Sequence, residues 1–242
     1  MKDLKIPKDV VDYEAATTED DANKYLTQRE IDDIFAYPDY KIKQHKRADV
    51  KRNLKMIQYV IEFQVLNGMR ISELLAIQPH NIDFENITLL IDGSIYWDHQ
   101  PKGSAIRYDE DERLPPLYWI DSKEHQHIEA AMLENKKEAS WNDRYMDKGY
   151  VFTGSTDSPM PQDQVNDMLK EAADWTGISK KKKVTSHILH HNHISVLAFL
   201  DVGIKALMNR VDRSDYRTIL QIYTHVTDKM NETMMDKLEK VN

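Results

Sequence analysis

The chain has 242 residues, 40% of them hydrophobic, which is enough to bury the core of one large domain or two small ones. It contains no cysteine, so disulfide frameworks and cysteine-based zinc sites are excluded. No apolar run is long enough to span a membrane and residues 1–10 lack the apolar core of a signal peptide, so we expect a cytoplasmic protein. The net charge of −8 counts against a nucleic-acid partner, because phosphate binding usually requires a basic surface.

The charge is unevenly distributed along the chain, which weakens that objection. Basic residues concentrate in two runs, Lys41–Lys55 and Lys180–Lys183, whereas acidic residues concentrate at Glu19–Asp21 and Asp109–Glu112. Taken alone, each basic run is best interpreted as a solvated face.

Three helices are predicted in the first third of the chain. Thr27-Gln28-Arg29-Glu30 is a capping box, which predicts that a helix begins there. Apolar residues recur at helical spacing over 54–65, up to Gly68, which can end a helix in the left-handed region. A short helix over Ile71–Ile77 follows directly.

The middle of the chain has the pattern of strands. Ile87–Ile91 and Ser94–Trp97 flank Asp92-Gly93, the dipeptide most typical of a two-residue hairpin turn, so we predict that these two strands pair. Arg113–Trp119 is a third candidate strand, and its two prolines favour the edge of a sheet. We therefore predict a small antiparallel sheet within residues 87–119.

Helical spacing returns after Ser122. The predicted helices cover about 122–138, 161–176, 187–201, 204–210 and 215–222. Beyond them, Met230, Met234 and Leu238 form an apolar stripe of a helical tail. The predicted fold class is α/β, mostly α, with a small antiparallel sheet.

Four histidines, His187, His190, His191 and His193, fall within one predicted helix. His187 and His191 are four residues apart, a spacing that suits zinc. However, the segment lacks the glutamate of a metalloprotease motif and the chain has no cysteine. We therefore expect no metal and no other cofactor.

Two segments carry the motifs that indicate a function. The first is Asn-Gly-Met-Arg-Ile-Ser-Glu-Leu-Leu-Ala-Ile, which occupies residues 67–77. The second runs from Thr-Ser-His-Ile-Leu-His-His at 185–191, through Asp-Arg-Ser-Asp at 212–215, to Ile-Tyr-Thr-His-Val at 222–226. Together they resemble the two signature boxes of tyrosine recombinases of the phage-integrase type, and the resemblance covers about residues 24–235.

The resemblance implies the tyrosine-recombinase catalytic fold and site-specific DNA recombination, either integration or excision. In this family a tyrosine attacks the DNA and forms a 3′-phosphotyrosyl bond, and religation needs neither ATP nor metal. The implied partners are double-stranded DNA and further copies of the chain, as a tetramer on DNA and a monomer in isolation. The implied location is the cytoplasm of a bacterial host.

By position, the resemblance makes Arg70 a phosphate clamp, His187 the histidine that opens the second box, and Tyr223 the nucleophile. The chemistry agrees, because guanidinium groups bind phosphate bidentately and tyrosine, with a free pKa of about 10, needs a cationic site to attack. Each residue also has an ordinary interpretation: an arginine paired to Glu73, a histidine at a helix start, and a half-buried tyrosine at a helix end.

The chain departs from the family's pattern at two positions. His190 stands where the family has its second arginine, and Arg213 stands where the family has a histidine. Either the exchange is compensatory, with Arg213 supplying the guanidinium, or the protein binds DNA with impaired catalysis. The leaving-group acid is assigned to Lys102 rather than Arg107, because an arginine is a poor proton donor.

The resemblance also bears on domain organisation. Residues 1–24 have little hydrophobic periodicity, and we interpret them as a linker or flexible lead-in. Residues 25–242 are then the catalytic domain. Because the family carries a helical core-binding domain before the catalytic one, we expect the chain to be a fragment.

Overall fold

The computed structural model describes residues 25–97, 104–107 and 117–239, apart from 147, 156, 157, 179, 181 and 212–215. The α-helices of this part are α1 (Gln28–Gln44), α2 (Ala48–Asn67), α3 (Ile71–Leu74), α4 (Ser122–Trp141), α5 (Gln162–Thr176), α6 (Ser186–Phe199), α7 (Ile204–Val211) and α8 (Tyr216–Glu239). Among the described residues, every helix is too short or too polar to span a lipid bilayer. The predicted linker, residues 1–24, lies outside these ranges.

The strands form two small antiparallel sheets. They are β1 (Ile82–Asp83), β2 (Thr88–Leu90), β3 (Gly93–Tyr96), β4 (Ser104–Arg107) and β5 (Leu117–Trp119). The first sheet has the order β1-β2-β5, and the second pairs β3 with β4. The prediction of a mostly helical fold with antiparallel strands between 87 and 119 is confirmed, and β5 lies at a sheet edge as its prolines indicated.

The predicted hairpin at Asp92-Gly93 is wrong. β2 pairs with β1 and β5, while Gly93 is already the first residue of β3 and pairs with Arg107. The hairpin turn instead connects β1 to β2. There the carboxylate of Asp83 accepts the backbone N–H groups of Glu85 and Asn86, each at 3.0 Å. This side-chain turn competes with Asp-Gly as a hairpin signal and fixes the β1–β2 connection.

The larger of two hydrophobic cores surrounds α2, which packs against α1, α4, α5 and α6. Met56, Val60 and Phe63 are fully buried on this helix because they recur at helical spacing. The Phe63 ring meets Phe152 with 5.7 Å between ring centroids. α2 is therefore a rigid support, and its carboxyl end leads directly into the segment of the first motif.

The smaller core joins α6, α7 and α8. Its buried members are Ile194, Ala198, Leu207, Val211, Ile219, Ile222 and Val226. α8 runs without a break from Tyr216 to Glu239, so the prediction of a helix ending at residue 222 is wrong, and Tyr223 lies inside the helix rather than at its end. Apolar residues on both sides of residue 222 pack on one core and keep the helix continuous.

The segment that leads into α1 is hydrogen-bonded to α6 and packs against the smaller core. The side chain of Asn192 accepts the N–H of Leu26 at 2.7 Å and donates to the Leu26 carbonyl at 3.1 Å. Tyr25 stacks on His225 of α8 with 6.4 Å between ring centroids. Residues 25 and 26 therefore contact α6 and the helix that carries Tyr223.

Candidate active site

Arg70 is positioned by the turn that ends α2. Gly68 adopts the left-handed conformation with φ of 77°, and its N–H donates to the Gln64 carbonyl at 2.8 Å. α3 begins one residue after Arg70, and the buried Glu73 accepts the Arg70 N–H through Oε2 at 3.3 Å. The Gly-x-Arg-x-Ser-Glu motif therefore makes a tight helix-to-helix turn with the arginine at its apex.

His190 of α6 is bound to this same turn. Its side chain is only 2% exposed, and Nδ1 lies 2.6 Å from the Gly68 carbonyl oxygen. A carbonyl can only accept, so Nδ1 carries the hydrogen. His190 thus has a hydrogen-bonding role at the position where the family has an arginine, and it holds the second motif against the segment of Arg70.

His187 and His191 lie on the exposed side of His190. The ring centroids of His187 and His190 are 6.3 Å apart, and those of His187 and His191 are 4.1 Å apart. Both rings line an open cavity of about 630 Å³, together with Lys183 from the preceding loop and His225 from α8. The exposed His187 and Lys183 give the mouth of this cavity donors that could meet an anionic substrate.

Tyr223 is half-buried and packs against the smaller core, while its neighbours Ile222 and His225 line the cavity. The structure therefore brings His187, His190 and the Arg70 turn together and places Tyr223 on the helix that forms one wall of the cavity. Lys102 and Arg213 lie outside the described residues.

The fourth histidine of the cluster, His193, faces away from the cavity. Its Nδ1 lies 3.1 Å from the Val65 carbonyl oxygen, and its Nε2 accepts from Arg210. No group of three or more potential metal ligands occurs in the part of the chain that the structure describes. The geometry therefore gives no support to the zinc interpretation.

The buried carboxyl group of Glu124 is hydrogen-bonded to the end of α2, just before the turn of Arg70. This residue was not identified from the sequence. Asn67 donates to Glu124 Oε1 at 2.8 Å, and the N–H of Asp121 donates to Oε2 at 2.6 Å. Burial raises the pKa of Glu124 to about 7. The Asp-x-x-Glu spacing of the capping box is visible in the sequence, but its bond to Asn67 links residues 57 positions apart.

Several side chains of the two basic runs are held by partners within the chain. Arg52 is buried and donates to one backbone carbonyl and two core side chains. Lys182 binds Glu30 at 2.6 Å, and Lys41 pairs with Glu171. The interpretation of the basic runs as solvated faces is therefore wrong for Arg52 and Lys182, whose side chains are only 7% and 9% exposed and whose partners hold them within the fold.

Comparisons with known proteins agree with the motifs. The model of the phage integrase family matches residues 24–230. The integrase of Staphylococcus phage L54a is 38% identical over 190 residues, which are 77% of this chain and 52% of that protein. The prophage ps2 probable integrase of Lactococcus lactis is 26% identical over 228 residues, 91% of this chain and 55% of the relative. The chain thus spans about half the length of these relatives.

Solved structures show the same fold. The integrase of the Tn1549 transposon, in complex with transposon right end DNA, superposes with a TM-score of 0.64 at 17% identity over 89% of this chain and 66% of that one. The XerH site-specific recombinase, bound to a palindromic difH substrate, gives 0.59 at 18% identity over 89% and 53%. The predicted tyrosine-recombinase catalytic fold is confirmed. Because the family model matches residues 24–230, which are most of this chain, the chain belongs to the phage integrase family.

Proposed function

We propose that the chain is a DNA strand transferase that cleaves and rejoins DNA in site-specific recombination, as integration, excision or both. The observation that carries the proposal is the 2.6 Å contact between His190 and the Gly68 carbonyl, which unites the two motif segments although they are 122 positions apart. The two relatives compared above are named an integrase and a probable integrase, and the two solved neighbours compared above are an integrase in complex with DNA and a site-specific recombinase bound to its difH substrate.

In the proposed reaction the Tyr223 hydroxyl oxygen attacks a backbone phosphorus and the bond to the 5′-oxygen breaks. The tyrosine gives up its proton, and the departing 5′-oxygen gains one from a general acid, which we assign to Lys102. Arg70 and Arg213 stabilise the extra charge on the non-bridging oxygens, while His187 donates a hydrogen bond and His190 holds the Arg70 turn through the bond from its Nδ1 to the Gly68 carbonyl. Attack by another 5′-hydroxyl reverses these steps, so no cofactor is needed. We place the reaction in the cytoplasm of a bacterial host, where the DNA is.

The exchange of His190 and Arg213 relative to the family allows a second outcome. His190 is buried and bonded to a backbone carbonyl, so it does not replace a guanidinium. If Arg213 does not supply the missing charge, the chain binds DNA without efficient cleavage, because losing one such donor costs about 10²–10³ in rate. The cleavage assay below distinguishes the two outcomes.

The assay uses nicked duplexes that tile the DNA bordering the gene of this chain. A nick just beyond the cleaved phosphate lets the short 5′-hydroxyl fragment diffuse away and traps the covalent adduct. We expect an adduct with the wild type and none with Tyr223→Phe, which keeps the aromatic ring but lacks the attacking oxygen. DNA binding without any adduct would favour the impaired binder, and neither binding nor adduct would contradict the proposal.

We also propose that copies of the chain assemble on DNA, with the end of α8 docking on a neighbouring copy. Met230 packs against the smaller core of its own chain, whereas Met234 and Met235 are 52% and 53% exposed. The apolar stripe predicted for the tail is therefore divided between the chain's own core and solvent. A second copy that covers the exposed methionines would remove apolar area from water and favour assembly.

The matched variants Met234→Asp and Met230→Asp test this division. Met234→Asp is expected to leave the melting temperature of the isolated chain unchanged and to weaken cooperative assembly on DNA. Met230→Asp is expected to lower the stability by roughly 1.5–3 kcal/mol, because it places a charge against the core. Thermal melts and DNA-binding isotherms provide both readouts. A melting temperature lowered equally by both variants would contradict docking in trans.

A further inference from the structure

The end of α2 and the end of α7 are joined by one side-chain pair, His193 and Arg210. The His193 ring lies directly against Gly68, because a Cβ atom added to that glycine would be 2.2 Å from Cδ2 and 2.4 Å from Cγ of the ring. Nδ1 of the same ring is 3.1 Å from the Val65 carbonyl oxygen. His193 therefore contacts the turn that precedes Arg70 at two points.

Arg210 approaches the other side of the His193 ring, with Nε 3.3 Å from Nε2. A guanidinium can only donate, so Nε2 must accept and the ring hydrogen must be on Nδ1, where it is donated to Val65. Both bonds are therefore satisfied by a single neutral tautomer. Burial, with the Arg210 charge, lowers the pKa of His193 to about 3, which keeps the ring neutral at physiological pH.

The carboxyl end of α7 is also tied to β5. Nη1 of Arg210 donates to the Trp119 carbonyl at 3.3 Å, and the buried Tyr118 hydroxyl donates to the Val211 carbonyl at 3.2 Å. Arg210 thus donates to β5 through Nη1 and to His193 through Nε.

We propose that His193 and Arg210 are positioning residues for the cleavage reaction: the pair holds the turn of Arg70 at a fixed distance from the end of α7, and thereby fixes the arginine of that turn, which the proposed function assigns to the phosphate. The inference rests on that function. Neither residue touches the reacting atoms; each acts through the backbone that it holds. A positioning error of about 1 Å can cost on the order of 10²-fold in rate, so a pair of this kind matters to catalysis.

The kinetic test uses the nicked duplex that traps the adduct of the wild type, at saturating DNA. His193→Asn keeps a donor near Nδ1 and lacks the acceptor at Nε2, while Arg210→Gln removes the guanidinium. Each is expected to slow the rate constant of adduct formation by about 10- to 100-fold, and the double variant is expected to be no slower than the worse single one. Arg210→Lys, which keeps a donor for Nε2, should recover part of the rate. Lys205→Gln removes a charge from the exposed face of α7 and should react as the wild type does.

A merely structural role would lower the melting temperature and the final amount of adduct but leave its rate constant unchanged, and that result would overturn the proposal. Effects that multiply in the double variant would overturn it as well. A second measurement does not depend on activity: Arg210→Gln should speed amide hydrogen exchange at residues 67–70 by about tenfold or more, although Arg210 does not contact them. Unchanged hydrogen exchange at residues 67–70 would contradict the positioning role of His193 and Arg210. A wild type that forms no adduct would contradict only the proposed function.

Discussion

Replacing Gly68 by alanine is expected to destabilise the fold by about 2–5 kcal/mol. The left-handed backbone, with φ of 77°, costs an L-residue about 1–2 kcal/mol. The new methyl group would also lie 2.2 Å from the His193 ring, and overpacking of this kind costs about 1–3 kcal/mol more. Urea unfolding monitored by circular dichroism measures the change in the free energy of unfolding.

Gly177 provides a matched control for the two contributions. It also ends a helix, α5, with φ of 76°, but a Cβ atom there would meet nothing within 4 Å. Gly177→Ala should therefore cost only the backbone part, and the difference between the two variants isolates the collision with His193. Equal losses in both variants would contradict the close packing of His193 on Gly68.

Replacing Arg70 by alanine is expected to lower the rate constant of adduct formation by about 10²–10³ at saturating DNA. The proposed reaction places extra negative charge on the phosphate oxygens, and an arginine at the apex of the α2–α3 turn is a fixed cation for them. The turn itself should survive, because Glu73 accepts the backbone N–H of Arg70. The alanine variant keeps that N–H. Single-turnover kinetics on the nicked duplex give the rate constant.

The exposed Arg144 serves as the control for loss of one positive charge. Arg144→Ala should cleave at the wild-type rate constant, and both variants should keep the wild-type melting temperature within a few degrees. A rate constant for Arg70→Ala within threefold of the wild type, with binding intact, would mean that Arg70 is the ordinary helix-start arginine that the sequence also allowed.

Local patterns predicted the helices and their caps well. The capping box was confirmed, since Thr27 Oγ1 accepts the Glu30 N–H at 3.1 Å and Glu30 accepts the Thr27 N–H at 2.7 Å. Gly68 ends α2 in the left-handed region, as its position after an apolar periodic run indicated. These features depend on residues within one or two turns of each other, so a sequence window contains all the information that they need.

Features that depend on distant residues were not predictable in this way. The bond from His190 to Gly68 spans 122 positions, and the two bonds from Asn192 to Leu26 span 166. Motif resemblance could place His190 near the site, yet only the fold reveals that its ring binds a backbone carbonyl. Arg210 carried no local signal, because its partners come from α6 and β5.

The pairing of the strands and the end of the last helix were mispredicted for a different reason. In both places, sequence signals of similar strength competed. Asp-Gly at 92–93 is a strong hairpin signal, but the side-chain turn at Asp83 closed the actual hairpin. The polar residues after Tyr223 indicated a helix end, whereas packing of Val226 and Met230 on the smaller core carries α8 onward to Glu239. A local side-chain turn thus decided the hairpin, whereas tertiary packing decided the length of the last helix.

The covalent joining of Tyr223 to DNA is tested most directly by identifying the chemical linkage itself. The adduct formed on a nicked duplex is digested with protease and nuclease, and the nucleotide-bearing peptide is sequenced by mass spectrometry. We expect a nucleotide attached through its 3′-phosphate to Tyr223, together with a released strand that ends in a 5′-hydroxyl. A linkage at any other residue, or attachment of the nucleotide through its 5′-phosphate, would contradict the proposed reaction.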